Sequence, residues 1–68
     1  HGGQLVSMIQ RIDSYLTEGG VVVFNSVSPE SREAFYEGAE SCKWNIVSSQ
    51  RITLDEHNPI TILKAVKP

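Results

Sequence analysis

The stretch Glu18–Ser31, "EGGVVVFNSVSPES", decides the fold. Gly19 and Gly20 interrupt whatever precedes them. Val21–Asn25 then runs apolar, β-branched and aromatic with no polar alternation. That composition predicts a strand covered on both faces, as in a parallel sheet. Ser28 is a good helix N-cap, and Pro29 at the first helical position loses no hydrogen bond. Glu30 and Glu33 fall in the first turn, where the helix dipole favours them. The helix so started runs to about Ser41 and turns Ala34, Phe35, Gly38, Ala39 and Cys42 inward. Gly38 costs about 1 kcal/mol against alanine in a helix interior. A close approach to the sheet would account for it.

Upstream, residues 4–17 read as an amphipathic helix. Leu5, Met8, Ile9, Ile12 and Leu16 recur at helical spacing. Val6 and Tyr15 widen the stripe, and Gln10, Arg11, Asp13 and Ser14 fall mainly on the other side. One of the two glycines is expected left-handed at C′. Downstream, residues 44–54 read as a long strand in which Trp44, Ile46, Ile52 and Leu54 share one parity. Ser48 and Gln50 interrupt it, as in an edge strand with one wet side. "DEHNP" is a turn, and residues 60–66 form the last strand of an antiparallel hairpin.

The order is α-β-α-β-β. A right-handed crossover makes the first two strands parallel to each other. The most apolar strand, the third, belongs between them. The expected fold is α/β, a three-stranded mixed sheet of order first-third-second with the last strand antiparallel and two helices packed on it. The first strand would then keep a bare edge. Its composition calls for neighbours, from missing strands or from a second copy.

Bulk properties narrow the function. The chain has 68 residues, with 8 acidic and 6 basic side chains and a net charge of −2. It holds one domain at most. No basic cluster is present to track phosphates, so nucleic acid is not an expected partner. No apolar run approaches the roughly 20 residues of a membrane span, and no signal peptide is visible. Cys42 is the single cysteine, so no internal disulfide forms. A reducing, cytoplasmic setting is expected. His1 in place of Met implies a trimmed start or a fragment.

With an antiparallel last strand inserted beside its predecessor, the arrangement resembles the C-terminal half of a Rossmann-like S-adenosylmethionine-dependent methyltransferase. "HGG" leading into "QLVSMIQRIDSYLTEGGVVVFNSVSPES" is similar to the "GGSGG…I…L.PGG.IV.NAVT.E" run of the decarboxylating precorrin-6Y methyltransferases of cobalamin biosynthesis. The end, "HNPITILKAVKP", is similar to the "NPV.I" closing strand of that family. The resemblance covers nearly all of the chain, and the glycine pair with Asn25-Ser26-Val27 is its most specific part. It implies residues 1–68 as one partial domain of a transferase that methylates a meso carbon of a corrinoid precursor. Two features of the family are missing: a G-x-G-x-G turn after a first strand, and an acidic residue at the end of a second. The resemblance therefore implies a piece that neither binds S-adenosylmethionine nor turns over alone.

Under the resemblance, Gly2, Gly3, Asn25 and Ser26 form a wall of the substrate pocket. Glycines at a helix N-terminus permit close approach of a ligand; a frayed terminus is the plainer reading. Asn25 and Ser26 stand where the first strand ends, and ligands of open α/β sheets lie off such ends. Asn25 either orients carboxylates and carbonyls of a macrocycle or bonds its own backbone in a turn. His57 and Asn58 suit an exposed Asn-Pro turn better than acid–base chemistry. His1, His57 and Cys42 show no zinc-ligand spacing. Cys42 reads as packing, since a helix C-terminus opposes a thiolate. Trp44 and Tyr36 could stack on a flat macrocycle, with core packing the commoner use. Glu30, Glu33, Glu37 and Glu40 form a solvated helix face. Two other readings stay open. One is a free-standing α/β interaction domain that dimerises through its strand edge. The other is a piece of a different methyltransferase of the same fold.

Overall fold

The computed structural model describes residues 2–53 and 59–68. Helix α1 spans Gly2–Tyr15, strand β1 Val21–Ser26, helix α2 Pro29–Ser41, strand β2 Asn45–Thr53 and strand β3 Pro59–Val66. The strand order is β1-β3-β2, as the sequence predicts. The sheet is not mixed, however. β3 is antiparallel to both neighbours, pairing Val21 with Val66 on one side and Asn45 with Val66 on the other. β1 and β2 do run the same way, but they never touch. Reversing the middle strand leaves only antiparallel ladders.

The register assigns the faces, because directly opposed residues share a side of the sheet. Val22, Phe24 and Ser26 oppose Ala65, Leu63 and Thr61 on the inner face. Leu63 and Ala65 are fully buried there, beside Ile9, Phe35, Ala39 and Trp44. Leu5, Ile12 and Leu16 of α1 and Cys42 pack against the same cluster, so both helices cover this one face. Phe24 stacks on Phe35 with centroids 4.9 Å apart and planes 3° from parallel.

The outer face is open, which corrects the expectation that β1 is covered on both sides. Val21 is 50% and Val23 60% exposed. Two helices on a three-stranded sheet supply only one covering layer.

β2 corrects a second expectation. A bulge between Ile46 and Ser48 inserts one residue. Ile46 opposes the buried Ala65, whereas Ile52 opposes Ile60 on the outer side. The same-parity residues Ile46 and Ile52 therefore face opposite ways, since one extra residue inverts the alternation. Trp44 precedes the strand and is buried. Leu54, His57 and Asn58 lie outside the described residues, as does His1.

The helices show three further departures. Met8 is half exposed and Tyr15 is 83% exposed, so neither belongs to the buried stripe. A Cβ built on Gly38 would lie 2.6 Å from Ile9 Cδ1 and 3.1 Å from Ile9 Cβ. The close approach there is to α1, not to the sheet. The left-handed glycine is Gly19, at φ 79°, past the end of α1 and inside the turn to β1. There its N–H donates to the Lys67 carbonyl at 2.7 Å, and the Lys67 N–H donates to the Gly20 carbonyl at 2.9 Å. Helix α2 ends in a Schellman arrangement instead. Trp44 N–H donates to the Ala39 carbonyl and Lys43 N–H to the Glu40 carbonyl, with Lys43 at φ 61°.

Candidate functional site

The C-terminal end of β1 and the start of α2 meet in a knot of serines. The Ser28 hydroxyl accepts from the Ser31 N–H at 3.1 Å, which is the N-cap predicted from the sequence. Ser26 Oγ donates to the Ser28 carbonyl at 2.8 Å and lies 2.7 Å from Ser31 Oγ. Ser26 is 2% exposed. Burying a hydroxyl without a partner is costly, and this knot satisfies it. Glu33 lies beyond the first turn, which holds Glu30.

Around the knot the inner face changes character. Ser26, Thr61 and Arg51 oppose one another across β1, β3 and β2 in one polar row. This row ends the apolar inner face. A cleft of about 80 Å³ opens there, lined by Ser26, Ser28, Arg32, Arg51 and Thr61 among others. Two arginine side chains border it, and no carboxylate does among the described residues. No motif in the sequence singles out either arginine. Residues 32 and 51 lie 19 apart in the chain, and only the hairpin register and the α2 docking bring them to one opening.

The four residues placed in a site by sequence do not share one cavity. Gly2 and Gly3 open α1, and Gly3 borders a shallow groove along that helix with Gln4, Ser7, Met8 and Arg11. Ser26 faces inward into the arginine cleft, whereas Asn25 opposes Ile62 on the outer face and is exposed. Successive strand residues point to opposite sides, so Asn25 and Ser26 serve different surfaces. Trp44 and Tyr36 border a third opening of about 450 Å³ at the end of α2. The Trp44 ring is only 5% exposed, so its face belongs to the core.

Trp44 also takes part in a charge network. Its Nε1–H donates to Asp13 Oδ1 at 2.7 Å. Lys67 Nζ stands 3.3 Å from the same oxygen. It also donates to the Asp13 and Leu16 carbonyls, each at 2.8 Å. Those carbonyls lie at the C-terminal end of α1, where a cation is favoured. The Trp44 hydrogen bond above all holds the Asp13 carboxyl below its ordinary value; desolvation opposes it, and the hydrogen bond and charge of Lys67 add to the lowering.

The described residues do not fit S-adenosylmethionine. Their strands end on Ser26, Thr53 and Val66; one glycine pair, Gly2 and Gly3, lies inside α1, and the other, Gly19 and Gly20, lies in the turn before β1. Among the described residues, no group of three His, Cys, Asp or Glu could hold a metal. No described helix is long and apolar enough to cross a membrane.

No family model, no curated protein and no solved structure matches the chain. The fold itself is a small α/β unit of two helices on a three-stranded antiparallel sheet.

Proposed function

We propose that this chain is the C-terminal half of a Rossmann-like S-adenosylmethionine-dependent methyltransferase. Within that class we propose the decarboxylating precorrin-6Y methyltransferases, acting on a corrinoid in the cytoplasm. The observation that carries the reading is the order β1-β3-β2 with β3 reversed between two strands of common direction. The free β1 edge and the exposed Val21 and Val23 support it. An edge strand with bare apolar side chains is a docking surface for further sheet. In this reading the cofactor is held by a preceding segment, and Gly2, Gly3 and Asn25 reach the substrate from separate surfaces of this chain, with Ser26 turned into the arginine cleft instead. The chain's contribution to catalysis is to position the acceptor.

The same free edge favours one alternative, a stand-alone unit that pairs β1 with β1 of a second copy. The test is to read the coding sequence upstream of His1, then titrate the complete protein with S-adenosylmethionine. A strand followed by G-x-G-x-G and an acidic strand end about 20 residues later, with saturable cofactor binding, is expected. An unrelated upstream sequence, or a complete protein that ignores the cofactor, leaves the dimerising unit as the better account.

A further inference from the structure

We infer that the cleft between the α2 N-terminus and the β2–β3 hairpin is an oxyanion site, taking the phosphate or carboxylate group of a small molecule. It stands on its own geometry and does not depend on the methyltransferase reading.

Four observations converge. First, Arg32 and Arg51 border one small cleft from two different elements. The chain's described ion pair joins Lys67 to Asp13, and neither arginine has a carboxylate partner among the described residues. Second, Thr61 is 8% exposed, and its hydroxyl has no hydrogen-bond partner among the described residues. Among those residues no sealed-off side-chain polar atom lacks a partner. The Thr61 hydroxyl therefore reaches solvent, and Thr61 is one of the residues lining this cleft. Third, the cleft lies against the first turn of α2, a 13-residue helix whose dipole favours a negative charge there. Fourth, the opening of about 80 Å³ admits a group of a few atoms, not a whole nucleotide or macrocycle.

The chemistry follows. Guanidinium groups donate in a planar fork that matches the oxygens of carboxylate and phosphate. Two forks on one oxyanion, with the Thr61 hydroxyl as a further donor, would satisfy most of its lone pairs. The chain as a whole is acidic at −2, so bulk attraction does not favour anions. Binding would have to come from this local arrangement.

The test titrates the protein carrying residues 1–68 with inorganic phosphate, and separately with acetate, at constant ionic strength set with chloride. The arginine Nε–H resonances and the Ser28–Arg32 backbone amides are followed by NMR. Saturable shifts confined to these groups are expected, and the tighter anion names the group the site takes. Arg32→Gln and Arg51→Gln each weaken binding about tenfold, the loss of one charge-assisted hydrogen bond. The double variant abolishes saturation. Thr61→Val weakens binding a few-fold. Lys64→Gln, on the outer face, changes nothing. Amide dispersion confirms that each variant is folded; both arginines lie outside the core, so their loss leaves the fold intact. Linear, unsaturated shifts with both anions would overturn the proposal. So would undiminished binding by the double variant, or equal weakening by Lys64→Gln.

Discussion

Gly38 and Lys43 show how one residue sets the geometry of its surroundings. At Gly38 the Ile9 side chain occupies the place of a Cβ, and the contacts include the stiff Ile9 Cβ and Cγ2 at 3.1 and 3.2 Å. A β-branched side chain in a helix has one strongly preferred rotamer, so the helices must part to admit a methyl. Overpacking of this kind costs about 1–3 kcal/mol and outweighs the gain of about 1 kcal/mol in helix propensity. Gly38→Ala is expected to lower the chemical-denaturation midpoint; a higher midpoint would refute the close α1–α2 contact. Lys43 is the opposite case. It sits left-handed at the end of α2, where an L side chain costs about 1 kcal/mol. Lys43→Gly is expected to raise stability by about 0.5–1 kcal/mol, part of the gain being lost to the freer unfolded chain. An unchanged or lower melting temperature would contradict it.

At the scale of elements, α1 is held at its C-terminal end by residues from the far end of the chain. Lys67 donates to two of its carbonyls, and Asp13 bridges Lys67 to Trp44. Lys67→Met is expected to cost about 0.5–1 kcal/mol, the usual value of a cation at a helix C-terminus, and to increase amide exchange in the last turn of α1 first. Uniform exchange across the chain would argue against this local role. Asp13 adds a pH dependence whose sign is fixed. Its carboxyl is held below its ordinary value in the folded chain. Its contribution is therefore complete above about pH 4, the unfolded value, and is lost as pH falls through the folded value. Melting temperature should drop on acidification through that window, and less steeply in Asp13→Asn. The partnership was within reach of the sequence. Asp13 is four residues from Ile9 and three from Leu16, inside the apolar stripe rather than opposite it. A carboxylate there needs a donor in the core, and Trp44 Nε1–H supplies it.

For the whole molecule, the outer sheet face and the free β1 edge dominate behaviour. Val21 and Val23 stand exposed on a strand with one edge unpaired among the described residues. Val23→Lys is expected to leave folding stability within about 0.5 kcal/mol, as for most surface changes, and to reduce self-association of the isolated chain or its docking to further sheet. Sedimentation at increasing concentration measures this; unchanged association would place the contact elsewhere. The element order, the α2 cap at Ser28 and Pro29, and the buried set Ala34, Phe35, Gly38 and Ala39 were legible because each depends on local spacing. The middle position of β3 was legible from its apolar composition. The oxyanion cleft was not, because residues 32 and 51 meet only through tertiary packing.

The sequence by itself determined which residues become helix or strand, and that Ser28 caps α2. Those properties follow from side-chain shape, hydropathy period and capping within a few residues. The tertiary structure alone decided that the sheet is antiparallel throughout, and that a bulge at Val47 sends Ile46 and Ile52 to opposite faces. It also set Gly38 against Ile9 and aimed Arg32, Arg51 and Thr61 at one opening. Each of these depends on hydrogen bonds and contacts between segments distant in the chain, where register and docking, rather than local preference, fix which atoms meet.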